Sequence, residues 1–338
     1  MEISKIHMIV DKNFKGTEGE EINNIRYYKT IQNAVNSIPL DNSKRAIIFL
    51  KKGSYYEKLV INSPNISMVG EDLEDTVIWY DVASGTPEPE GGTYGTSGSA
   101  SVIVNNTATN FTAENITFAN MFDETQPITN KQAVAMRCIA DKSMFRNCKF
   151  IGNQDTLYVD DGIQYFANCY IEGDVDFIFG AGQVVFENCT IFSVERAGIT
   201  PKGYITAAST FKGKLGFLFI GCRLLSNIRE PNSVYLGRPW HPSFDPYSRQ
   251  SNVVFRDCYM DAHIKEEGWT AMSSKDPTTG ETIWFYPETE KFYEYQSYGP
   301  GASVNEKRPQ LSGELLDYYS KENFIRGWDL QEFVENLI

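Results

Sequence analysis

Five short segments share one spelling, and their spacing constrains the fold more than any other feature of this 338-residue chain. FRNCKF (145–150), FANCYI (166–171), FENCTI (186–191), FIGCRL (219–224) and FRDCYM (255–260) all read Phe-x-x-Cys-x-apolar. Successive cysteines lie 21, 20, 33 and 36 residues apart, and AENITF (113–118) is an earlier copy with Ile116 in the cysteine position. A unit of just over 20 residues, lengthened in some turns, marks a solenoid in which each coil stacks on the last. The units are rich in Phe, Ile, Val, Tyr and Thr, are broken by Gly and Asn, and lack sustained helical spacing, so parallel strands are expected. Residues in one register then sit on their equivalents about 4.8 Å away along the axis. The five phenylalanines and five cysteines read as interior ladders, the cysteines as small buried apolar residues. Cys169 and Cys189, one rung apart, are close enough for a disulfide if the surroundings oxidise.

A solenoid has apolar ends that need covering. YKTIQNAVNSIP (28–39) places Ile31, Ala34, Val35 and Ile38 on one helical face, with Thr30 as N-cap and Pro39 past the stop, which predicts an N-terminal capping helix. RAIIFLKKGSYYEKLVI (45–61) and ISMVGE (66–71) supply first strands, while SGELLDYYSKENF and DLQEFVENLI read as short C-terminal helices over the last rungs or against one side. Residues 83–101 and 239–251 read as long surface loops of the kind that shape a groove on a rigid scaffold. Neither has the apolar spacing of a separate domain, so one domain over 1–338 is expected.

Within the repeat, GNQDTLYV (152–159) and GDVDFIFGAG (173–182) each centre on one acid, Asp155 and Asp176, a single coil apart. Like charges that close raise each other's cost of ionising, so the pair suits chemistry better than stability. An Asp after Gly in a turn is, taken alone, more often a turn residue. The context is richer than that. GSYYE (53–57), QAVAMR (132–137), GNQDTLY (152–158), DFIFG (176–180) and LGRPW (236–240) follow one another in the order and spacing of the signature blocks of pectin methylesterases. The chain resembles that family from about residue 28 to GWD at 327–329.

The resemblance implies an all-β, right-handed parallel β-helix and a carboxylic ester hydrolase that removes C6 methyl esters from galacturonate units of pectin or pectic oligosaccharides. Methanol and pectate are the products, and no cofactor or metal is implied. Carried over block by block, Asp176 is the nucleophile and Asp155 the general acid and then base. Gln154 and Gln132 stabilise the oxyanion, and Arg238 pairs with Asp176. Trp240 packs on a sugar ring. Thr96, Phe179, Tyr158 and Met272 match substrate-contacting positions more loosely, and His241 is given no role. These residue types suit the chemistry: a carboxylate can attack an ester carbonyl, and an arginine beside it holds it ionised.

Other classes fit less well. Parallel β-helices also host polygalacturonases and pectate lyases. The Asn-Thr-Asp, Gly-His-Gly and Arg-Ile-Lys blocks of the former and the calcium-binding acid cluster of the latter are not found. GTSGS (95–99) misses the Gly-x-Ser-x-Gly spacing of serine esterases, since position 99 is Ser. A net charge of −13 argues against nucleic acid or an anionic membrane as partner, and the expected partner is methylated pectin or oligogalacturonide, met by a monomer. MEISKIHMIV lacks the pattern of a secretory signal, which suggests a cytoplasmic protein, with secretion as the alternative. Three histidines, none in ligand spacing, leave proton transfer to carboxylates.

Overall fold

A computed structural model describes residues 6–196 and 198–330. Among the described residues, contacts gather the chain into two compact units, 6–152 with 327–330, and 153–326. Each is a stretch of parallel β-helix in which three strands per coil contribute to three parallel sheets. The all-β solenoid expected from the repeat is the fold of the protein.

In the first unit one sheet runs through Ala46–Leu50, Ile66–Gly70, Thr112–Glu114 and Ser143–Arg146. A second runs through Gly53–Tyr56, Thr76–Tyr80, Thr117–Asn120 and Lys149–Ile151, and a third through Leu59–Ile61, Val102–Val104 and Met136–Cys138. The capping helix is Ile31–Asn36, shorter than the apolar pattern suggested. Thr30 caps it, its hydroxyl accepting from Asn33 N at 3.3 Å, and Ile31, Ala34, Val35 and Ile38 are all buried. The loop at 83–101 is partly ordered into the short helix Gly95–Gly98, with Ala83, Ser99, Ala100 and Ser101 buried.

The second unit repeats the plan with the clearest ladders. Its first sheet is Ile163–Ala167, Gln183–Glu187, Phe217–Ile220, Asn252–Arg256 and Lys291–Tyr295. Its second is Tyr170–Gly173, Thr190–Ser193, Arg223–Ser226 and Tyr259–Met260; its third is Leu157–Val159, Val175–Gly180, Gly203–Ala208 and Val234–Gly237. Phe166, Phe186, Phe219 and Phe255 are register partners, their rings stacked at 5.0, 4.5 and 4.4 Å. The residue before each cysteine explains the spelling of the repeat. Asn168, Asn188, Gly221 and Asp257 all have φ between 54° and 62°, the left-handed conformation that turns the chain from the first sheet into the second. Only Gly, Asn and Asp adopt it at low cost.

The cysteines are buried thiols, Cys169 and Cys189 included. No disulfide joins those two; each thiol instead donates to a carbonyl, Cys169 to Ala167 O and Cys189 to Phe166 O, both at 3.5 Å. The helices Glu314–Tyr318 and Lys321–Phe324 lie against the side of the first sheet rather than over its last rung. Gln183 Nε2 donates to Phe324 O, and Lys321 pairs with Glu187 at 2.5 Å. Most of DLQEFVENLI lies outside the described residues. An antiparallel hairpin, Met272–Lys275 with Thr282–Phe285, interrupts the coils, a feature the repeat did not forecast.

Candidate active site

The third sheet of the second unit holds the acid pair. Asp155 sits just before Leu157–Val159 with φ 65°, its N–H donating to Val175 O at 3.0 Å. Asp176 lies one rung on in Val175–Gly180, with φ 51°, inside a register shift between Val175 and Ile178. A bulge of this kind bends a strand and re-aims the side chain it carries. Gly180 closes the motif: a Cβ there would meet Val159 O at 2.1 Å, so only glycine lets the two rungs approach. Both carboxyl groups are buried, Asp155 to 8% and Asp176 to 6% residual exposure.

Arg238 reaches Asp176 from a later rung, after its own N–H has extended the sheet by donating to Thr206 O at 3.0 Å. Its Nε and Nη2 donate to the two oxygens of Asp176 at 2.8 and 2.6 Å, the bidentate arrangement that a guanidinium fits best. The face of the guanidinium lies 3.9 Å from the ring of Tyr204. Burial works against the charge of Arg238, but hydrogen bonding to Asp176 and its negative charge raise the pKa on balance. Asp155 has no such partner. Burial, then the charge of Asp176, push its pKa well above the ordinary 3.8, against a smaller opposing pull from Arg238. Gln154, half-buried, hydrogen-bonds Asp155 from the adjacent position.

Three aromatic rings come from the same strands and the segment that follows them. Tyr158 and Phe179 are register partners stacked at 4.2 Å, and Trp240 packs on both, at 6.2 and 5.6 Å. Tyr158 and Phe179 are buried, with 7% and 3% exposure, whereas Trp240 is half-buried. A sugar can therefore meet Trp240 more readily than the two rings beneath it. Met272 opens the antiparallel hairpin opposite Phe285.

Gln132 and Thr96 belong to the first unit. Gln132 gives its carbonyl to Ser84 N at 2.7 Å, while its Oε1 is buried without a hydrogen-bond partner. Thr96 is half-buried in Gly95–Gly98. Two contributors to the electrostatics were not singled out from the sequence. Tyr204 carries the face under Arg238, and Asp174, 4% exposed and 3.2 Å from Arg196, adds to the raising of Asp155. Tyr204 is the register partner of Val175, so counting strand positions across one coil would have found it.

A β-helix bearing two buried carboxyl groups in unlike environments fits a hydrolase. Comparison with known proteins gives the narrower answer. The Pectinesterase family model matches residues 23–328. Pectinesterase A of Dickeya dadantii is 37% identical over 330 residues, covering 89% of this chain and 87% of the relative. Pectinesterase 31 of Arabidopsis thaliana is 38% identical over 302 residues, covering 86% and 84%. Among solved structures, pectin methylesterase PemA from Erwinia chrysanthemi superposes with TM-score 0.87 at 34% identity, covering 95% and 97%. A pectin methylesterase in complex with a hexasaccharide gives 0.88 at 34% identity, covering 96% and 98%. The chain belongs to the pectinesterase family.

Proposed function

We propose that this protein removes methyl esters from galacturonate units of pectin, with residues 1–338 acting as one enzyme and Asp176 as its nucleophile. The Asp176 carboxylate attacks the C6 carbonyl carbon, and the electron pair of the C=O bond moves to oxygen. Gln154 and Gln132 donate to that oxyanion. The bond to the methoxyl oxygen breaks, Asp155 gives the departing oxygen its proton, and methanol leaves an anhydride between Asp176 and the sugar. Asp155, now a carboxylate, takes a proton from water. The hydroxyl cleaves the anhydride, which frees the galacturonate and restores both acids.

The observation that supports this best is the unequal treatment of two neighbouring aspartates. Arg238 grips Asp176 through both oxygens, and burial favours the proton on Asp155. Unlike environments around two neighbouring carboxyl groups are a way to separate nucleophile from acid. Trp240 offers a face to the sugar, with Tyr158 and Phe179 supporting it, and Thr96 and Met272 are proposed as outer contacts.

Incubation with highly methylated pectin, scored for methanol, reducing ends and unsaturated product, tests the reading. Methanol alone is expected. Asp176→Asn should lower its release by about 10³-fold or more while leaving the circular dichroism unchanged. Retained turnover would remove Asp176 from the nucleophile role, and new reducing ends would replace ester hydrolysis by backbone cleavage.

The family assignment does not support the cytoplasmic location suggested by the N-terminus. We propose action outside the cell, where a polymer too large to cross a membrane is encountered. No helix among the described residues is long and apolar enough to cross a membrane. A monomer remains our proposal, tested by light scattering.

A further inference from the structure

His241 follows Trp240 directly and is 4% exposed. Its Nδ1 lies 2.7 Å from Pro246 O, its Nε2 lies 3.2 Å from Glu290 Oε1, and its ring stacks on Phe285 at 3.7 Å. A carbonyl oxygen only accepts, so Nδ1 donates. Glu290 Oε2 accepts the Ser251 N–H at 2.5 Å, and Oε1 lies 3.3 Å from the Thr289 hydroxyl. Nε2 thus faces a carboxyl group whose side chain is 2% exposed.

Two of the neighbouring polar groups are engaged elsewhere. Lys212, Tyr247 and Arg249 line the same cavity of about 290 Å³. Arg249 lies 3.6 Å from Asp245 and over the ring of Phe211, and Tyr247 donates to Asp276. None of these replaces the bond between His241 and Glu290.

We infer that His241 and Glu290 form a clamp that positions Arg238 and Trp240 for ester hydrolysis. Arg238, Pro239, Trp240, His241 and Pro242 are consecutive, and the two prolines fix φ at about −65° on either side of the Trp-His pair. Fixing the His241 ring thus fixes, within three peptide units, the guanidinium on Asp176 and the indole on Tyr158 and Phe179. The far end of the clamp is anchored through Ser251, which leads into the first-sheet strand Asn252–Arg256. A misplacement of about 1 Å at a distance from the chemistry can cost 10²-fold in rate. His241 is a positioning residue, not a catalytic one.

This inference rests on the esterase reading, so the experiment begins with methanol release by the unmodified protein; its absence would remove that reading first. His241→Ala and Glu290→Ala should each lower kcat/KM by about 10- to 100-fold at 25 °C. The loss should be divided between a lower kcat, through Arg238, and a higher KM, through Trp240. Glu290→Gln should recover most of it: the amide can donate to a singly protonated His241 ring and still accept from Ser251. Nitrogen NMR of the rings, with only three histidines to assign, should show a proton on His241 Nδ1 in both the parent and Glu290→Gln. Variants that melt earlier but keep the parent kcat and KM would make the pair merely structural and overturn the proposal. A parent His241 ring with no proton on Nδ1 would overturn it too, and that measurement does not depend on any variant folding.

Discussion

Asp155 and Asp176 are chemically identical side chains, and their surroundings separate them. The carboxyl of Asp155 is raised by burial first and by the charge of Asp176 second, while Asp176 has a bidentate arginine. A raised carboxyl binds its proton more tightly in the folded than in the unfolded state. Folded stability therefore falls as pH climbs from the unfolded pKa of about 3.9 through the folded value, and is level above it. Asparagine has no proton to lose. Asp155→Asn should thus be more stable than the parent, with a margin that widens above pH 4 by at most about 1.4 kcal/mol per pH unit. Calorimetry at pH 4 and pH 7 checks this; a margin that stays constant or shrinks would contradict the assigned environment. The acids, Gln154, Arg238 and Trp240 were legible in the sequence because each sits inside a short motif. Tyr204 and Asp174 were not, since their effect depends on which residues neighbouring coils bring together.

The turn from the first sheet to the second is the element that the sequence spells most openly. Its left-handed residue is Asn168, Asn188, Gly221 or Asp257, always just before the buried cysteine. Asn188→Val should destabilise by about 1–2 kcal/mol, the cost of left-handed backbone for a side chain with a Cβ, whereas Asn188→Gly should be close to neutral. Urea midpoints separate the two, and equal losses would mean that the turn geometry is not what selects the residue. The thiols beyond these turns are sealed: Cys169, Cys189, Cys222 and Cys258 are at most 2% exposed. A thiol reagent should find almost none of the six in the native protein and all six after denaturation without reductant. Four titratable thiols would restore the disulfide. The ladders could be read in advance because stacking repeats the same environment every coil. The hairpin at 272–285 could not, because an insertion has no copy elsewhere in the chain to reveal it.

At the scale of the whole molecule, the charge of −13 acts on a substrate that changes its own charge. Each turnover converts a neutral ester into a carboxylate, so the field of the protein favours departure of product over its retention. Methylated pectin should bind more tightly than de-esterified polymer at low salt, and the gap should narrow between about 10 and 150 mM as the Debye length shrinks from about 30 to 8 Å. Calorimetric titration at the two ionic strengths measures it; tighter binding of the de-esterified chain would show that local cations outweigh the net field.

The backbone angles at 155 and 176 bear on how such a protein could lose its activity. Both aspartates occupy a conformation that asparagine accepts equally well, the one its neighbours already use for purely architectural corners. On the roles proposed for them, a single Asp-to-Asn exchange at either place would silence the chemistry without disturbing the coil. An inert lookalike, still able to hold the polysaccharide, is therefore only one codon position away from the working enzyme.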